Sequence, residues 1–166
     1  MLEATLFVQM KTIVVGLGNP ILGDDGVGWR VAEDVKRQLD PELGVDVEFL
    51  SLGGISLMEH LIGYKHVILI DSFFSDAELG SITVSKLDQI PNYSAFHITS
   101  AHDTSLQNAM KLGMSLGVPL PDEVWVVGIS IHPVHDFSES LSPAVAKAIP
   151  EASQIVIDEL KKIIIQ

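Results

Sequence analysis

Short apolar runs alternate with amphipathic stretches along most of this chain. Residues 12–16 (TIVVG), 66–71 (HVILID) and 123–129 (EVWVVGI) are nearly continuous aliphatic runs, the pattern of strands buried on both faces. Residues 45–51 alternate more clearly and predict a strand nearer the sheet edge, and 81–87 predict a further strand. Between them lie helical patterns. Val27, Val31, Val35 and Leu39 recur at fourfold spacing and line one face of a helix over 26–39, with Asp24 or Asp25 available to cap its first turn. A short helix is predicted over 56–62, stopped by Gly63, and a loop or short turn over 73–80. A longer helix is predicted over 102–116, with Ser100 as cap. Leu106, Met110 and Gly113 share its face, with Ala109 and Leu112 beside it. Ser142 and Pro143 suit a last helix start, because proline is tolerated in a first turn. Pro150 is expected to kink or interrupt that helix before it resumes through Ile155, Leu160 and Ile163.

Strands alternating with helices define the α/β class. The expected architecture is three-layered: a mostly parallel central sheet with helices on both faces, joined by right-handed crossovers. The length of 166 residues suits one domain, with a core over about 12–160. In such a fold ligands bind beyond the carboxyl ends of the strands, where strand order reverses. Residues 16–28, the segment from Asp71 to Phe74 and the loop after Ile129 all fall at that edge.

Charge and composition remove several function classes. A net charge of −12 repels phosphate backbones, and no basic run offsets it, so nucleic acid is not an expected partner. The absence of cysteine excludes disulfides, thiolate metal sites and cysteine nucleophiles. The N-terminal MLEATLFVQMKT lacks the basic start and cleavage site of a secretory signal, and no apolar run nears the roughly 20 residues that span a bilayer. A cytoplasmic protein without membrane insertion is the expectation. No strongly exposed apolar helix face stands out, which favours a monomer.

The candidate chemistry gathers at the carboxyl edge. Gly16-Leu17-Gly18-Asn19-Pro20 superficially resembles a dinucleotide loop, but Ile21 occupies the third glycine position and two carboxylates follow. The glycines instead suit a tight turn and close backbone approach, with Asn19 bonding that turn. Asp24 and Asp25 are adjacent, so one can cap a helix while the other faces the crevice. Asp71 directly follows four apolar residues, where a buried strand surfaces. His102, in TSAHD, sits at an expected helix start, which biases imidazole towards the neutral, metal-ligating form. Asp25, Asp71 and His102 together form a plausible one-histidine, two-carboxylate metal site. Each also has a plain structural use, as a helix cap, a loop acceptor or a surface imidazole. His132, His135 and Asp136 form a weaker secondary rim, while His66 and His97 suit structural or exposed roles. There is no G-x-S-x-G elbow and no H-E-x-x-H, which argues against a serine hydrolase of that kind and a helix-borne zinc protease.

Over residues 12–160 the chain resembles the C-terminal processing endopeptidases of nickel–iron hydrogenase large subunits. The resemblance rests on GLGNPILGDDGVG at 16–28, GG at 53–54, IDS at 70–72, SAHD at 100–103 and VVGI at 126–129. It implies that Asp25, Asp71 and His102 are the catalytic, metal-contacting trio. The first of these is often glutamate in the family, and the shorter Asp25 keeps the oxygen chemistry. Asp24 corresponds to a neighbouring acid with an orienting role, and Gly16, Gly18 and Asn19 support the loop. The implied reaction removes a short C-terminal extension from the nickel-loaded precursor of the large subunit. Nickel would come with the substrate, and no organic cofactor is implied. A non-proteolytic chaperone or metal-sensing module for the same precursor is the alternative. The opening GLGNP is also similar to peptidyl-tRNA hydrolases, but the chain continues with ILGDDGVG and its acidity argues against a tRNA substrate.

Overall fold

A computed structural model describes residues 11–91 and 104–165. In chain order the main elements are β1 (Thr12–Leu17), α1 (Val27–Gln38), β2 (Val45–Leu50), α2 (Gly54–His60), β3 (His66–Phe74), β4 (Ile82–Lys86), α3 (Leu106–Ser115), β5 (Glu123–Ile131) and α4 (Pro143–Ile164). Among the described residues five strands form one sheet in the order β2-β1-β3-β5-β4. All neighbours are parallel except β4, which runs antiparallel to β5. The expected three-layer α/β architecture is present, with β2 at one end of this order.

Strand order explains the layering. From β1 the chain crosses through α1 to β2 on one side, then returns through α2 to β3 on the other. Two right-handed crossovers in opposite directions put α1 and α2 on opposite faces. α1 pairs with α4 on one face and α2 with α3 on the other. Alternate strand residues feed the two cores. Val14, Ile68 and Ile70 meet Val31, Val35 and Val156 of α1 and α4, whereas Ile13, Val67 and Leu69 meet Leu57, Leu61 and Leu106. The reversal falls between β1 and β3, so the loops leaving these two strands flank a natural crevice.

Glycine brings α1 close to the sheet at that crevice. A Cβ on Gly28 would lie 2.2 Å from the Leu17 carbonyl oxygen and 2.5 Å from that of Ile70, and one on Gly16 would lie 2.6 Å from the Gly28 carbonyl oxygen. No larger residue fits at these positions without moving the helix away.

Several local expectations are corrected. β3 does not end at Asp71: it pairs with β5 as far as Phe74 and Ile131, so Phe73 and Phe74 belong to a strand and Asp71 lies inside one. The Phe73 ring occupies space beside Gly128 that any Cβ there would fill. The described part of α3 starts at Leu106, capped by Ser105, whose Oγ accepts the Asn108 N–H at 3.2 Å. The predicted helix positions 102 and 103 and the predicted cap Ser100 lie outside the described residues. Leu112 does not join the buried face of α3. It is exposed, as is Leu116 one turn on, so this helix does present apolar side chains outward. α4 runs through Pro150 without interruption. Its buried positions Val145, Ala148, Ala152 and Val156 straddle the proline, and packing on both sides outweighs the missing N–H.

Candidate active site

The segment between β1 and α1 carries both adjacent acids. Gly18 leaves β1 with φ +138°, and a Cβ there would fall 2.1 Å from the Asp25 carbonyl oxygen. The turn therefore needs glycine twice over, for its dihedral angle and for its closeness to the returning chain. The Ser51 hydroxyl, just past β2, donates to the Gly18 carbonyl at 2.6 Å. Asn19 closes the turn by accepting the Ile21 N–H on its side-chain oxygen at 3.1 Å. Residues Gly23–Gly26 then form a single 3-10 turn. Its start is pinned to the loop after β5: the Gly23 N–H donates to the Ser138 carbonyl and the Ser138 N–H to the Ile21 carbonyl.

Neither acid caps α1, whose N-terminal cap is Gly26 and lacks a side-chain hydrogen bond. The two carboxylates go to different places instead. Asp24 accepts the Ser142 N–H on Oδ1 at 2.6 Å and the Ser142 hydroxyl on Oδ2 at 2.8 Å. It ties the turn to the start of α4, where a negative charge also complements the helix dipole. Asp25 turns inward and is 7% exposed. Its Oδ2 accepts the Asn19 N–H at 2.9 Å, and its Oδ1 accepts the Ser72 hydroxyl at 3.3 Å.

Asp71 is fully buried within β3, and its Oδ1 accepts the N–H of Ser72 at 2.8 Å. Strand alternation places Asp71 on the same side as Val67 and Leu69, facing the α2 and α3 layer, and Ser72 on the α1 side with Ile68 and Ile70. The fold thus brings Asp25 and Asp71 to the same sheet edge and joins both to one residue. Ser72, part of the IDS motif, has no role assigned by the sequence, and its contact with Asp25 appears only in the fold.

The other predicted positions divide clearly. Gly16, Gly18, Asn19 and Asp24 all build the loop that carries Asp25. His102 and His97 lie outside the described residues. His132, His135 and Asp136 are exposed in the loop after β5. Among the described residues no three His, Cys, Asp or Glu side chains gather to hold a metal ion, which corrects the secondary rim as a ligand set. His66 is half-buried at the start of β3, away from the crevice. The clearly displaced pKa values also belong near the strand starts. Tyr64 is pushed up to about 12 by burial and by its hydrogen bond to Asp46, and Glu123 is held below the usual carboxylate range by its hydrogen bond from Lys86.

Open surface and exposed apolar residues lie at the same edge of the sheet as the acids. A cleft of about 590 Å³ opens between the ends of β3 and β5, bordered by Phe74, Asp76, Ile131 and His132. Exposed apolar residues stand in the segments at this edge: Ile21 after β1, Ile55 after β2, Phe74 at the end of β3 and Phe137 after β5. These features define an α/β protein with two buried carboxylates at the carboxyl edge of its sheet and exposed apolar residues in the segments around it.

Comparison with known proteins makes that class specific. The family model described as hydrogenase maturation protease matches residues 29–159. A hydrogenase maturation protease homologue of Methanocaldococcus jannaschii is 30% identical, over 90% of this chain and 96% of the relative. The hydrogenase 2 maturation peptidase of a Thaumarchaeota archaeon is 28% identical, with a TM-score of 0.67 over 91% of this chain and 98% of that one. The maturating endopeptidase HybD of Escherichia coli shares the fold, with a TM-score of 0.73 and 23% identity over 92% and 93% of the two chains. The chain belongs to the hydrogenase maturation protease family.

Proposed function

We propose that this protein is the endopeptidase that removes a short C-terminal extension from the nickel-loaded precursor of a nickel–iron hydrogenase large subunit. Family membership supports the reaction class. The observation that carries the site is the burial of Asp25 and Asp71 at the reversal point of the sheet, each accepting a hydrogen bond from Ser72. Carboxylates are hard oxygen ligands and, suitably placed, general bases. In this reading Asp25, Asp71 and His102 contact nickel that the precursor carries. Nickel held there would polarise the scissile carbonyl or serve as the recognition element while a carboxylate activates water, and the chain's own residues fix the tail against the crevice. The exposed apolar residues at the edge and the cleft beside β3 and β5 suit a protein substrate in extended form. No described helix is long and apolar enough to cross a membrane, and a cytoplasmic setting fits that substrate.

Purified protein mixed with nickel-loaded precursor, with nickel-free precursor alongside, tests this by intact mass. Loss of a discrete C-terminal peptide from the loaded form alone is the expected result. An uncut complex with the loaded precursor would replace cleavage by a binding role.

A further inference from the structure

We propose that Ser72 is a positioning residue that locks the two carboxylates of the site into one arrangement. The inference rests on the proteolytic reading above and extends it to a residue outside the Asp25, Asp71 and His102 trio. Ser72 is 1% exposed and donates twice in different directions. Its backbone N–H reaches Asp71 Oδ1 at 2.8 Å, and its hydroxyl reaches Asp25 Oδ1 at 3.3 Å across 47 positions of sequence. The geometry follows from the strand. Consecutive residues face opposite sides, so Asp71 and a side chain on the α1 face cannot come from the same position. Residue 72 occupies the α1 face beside Asp71 and supplies the hydroxyl there. Asp25 is then held at both oxygens, by the Asn19 N–H from the β1 loop and by Ser72 from β3.

The backbone donation survives any substitution except proline, so the side chain acts on Asp25 alone. A hydroxyl sealed from solvent and committed to a carboxylate orients that group rather than attacking substrate. Alanine at this position removes one donor without adding volume. A hydrogen bond to a charged group supports an expected fall in kcat of about tenfold or more.

The test compares wild type, Ser72→Ala and Ser72→Thr on nickel-loaded precursor. Support is a tenfold or greater loss of kcat in Ser72→Ala at a temperature where its circular dichroism is native, KM within about twofold, and recovery in Ser72→Thr, which keeps the hydroxyl. A second readout needs no substrate. The carboxyl carbon resonance of Asp25 should move in Ser72→Ala while that of Asp24 stays in place. Wild-type kcat in Ser72→Ala, or an unmoved Asp25 resonance, overturns the proposal. So does a fall in kcat accompanied by a severalfold rise in KM and loss of the native circular dichroism at the assay temperature, which marks a merely structural role. Failure of the wild type to cleave overturns the proteolytic reading itself, and is distinguished by that control.

Discussion

Two corners of the same loop hold the same pair of side-chain types, an aspartate and a serine, and put them to different uses. At the outer corner Asp24 takes both donors of Ser142 and fastens the loop to α4. At the inner corner Asp25 meets Ser72 beneath the loop, next to Asp71. Asp24 is half-buried and Asp25 is nearly sealed. The chemistry of the residues is identical. What separates them is where the partner serine stands: at an outer helix start for Asp24, and inside the sheet directly after the buried Asp71 for Asp25.

The sharpest way to break this comparison is to neutralise each acid in turn. Asp71→Asn and Asp25→Asn should each lower tail removal by about 10²-fold or more, while the circular dichroism spectrum stays native. Full processing by either folded variant would remove that acid from the site. Gly18→Ala attacks the loop that carries both corners. The positive φ alone should lower stability by about 1–3 kcal/mol, with the collision against the Asp25 carbonyl adding to it, as read by denaturant unfolding. Asp24→Ala should destabilise by about 1–2 kcal/mol through loss of two bonds to the start of α4. Its activity at 25 °C should fall less than that of Asp25→Asn. If the two variants lose activity equally, the distinction between anchor and site residue is wrong.

The smallest effect belongs far from both corners. Glu123 at the start of β5 accepts from Lys86, which holds its pKa below the usual carboxylate value. A folded-state pKa below the unfolded one adds stability above the unfolded value, and that stability is lost as pH falls through the folded value. Wild type should therefore melt slightly higher than Glu123→Gln at neutral pH, and the two curves should converge in acid. A constant gap down to low pH would mean that the pair contributes through packing rather than charge.

The legibility of these features differs from one residue to the next. Asp71 stood out because a carboxylate closing an apolar run is a rare pattern. Its full burial did not, because nothing in HVILIDSFF says that β5 continues alongside as far as Ile131. The acids at 24 and 25 were visible as a pair, and the family resemblance implies Asp25 for the site and an orienting role for Asp24, but the partner of Asp24 was not legible. Ser142 lies 118 positions from Asp24, and no local spacing announces that contact. Ser72 belongs to the IDS motif but carries no role by sequence, because serine after aspartate is unremarkable until β3 is laid beside the 3-10 turn. At α3 the pattern names only Ser100 as cap, and that position lies outside the described residues. Within the described helix the cap is Ser105, which immediately precedes the buried Leu106.

The sequence by itself determined the α/β class, the buried strands, and the loop in which glycines must precede the acids. These follow from local rules: strand burial from apolar runs, helix faces from fourfold spacing, and turns from the conformations that only glycine adopts easily. The tertiary structure alone decided what Asp24 fastens to, how far β3 extends past Asp71, and that α4 survives Pro150. Each of those depends on what packs alongside after the crossovers are made, and partners far apart in sequence leave no mark in the local pattern.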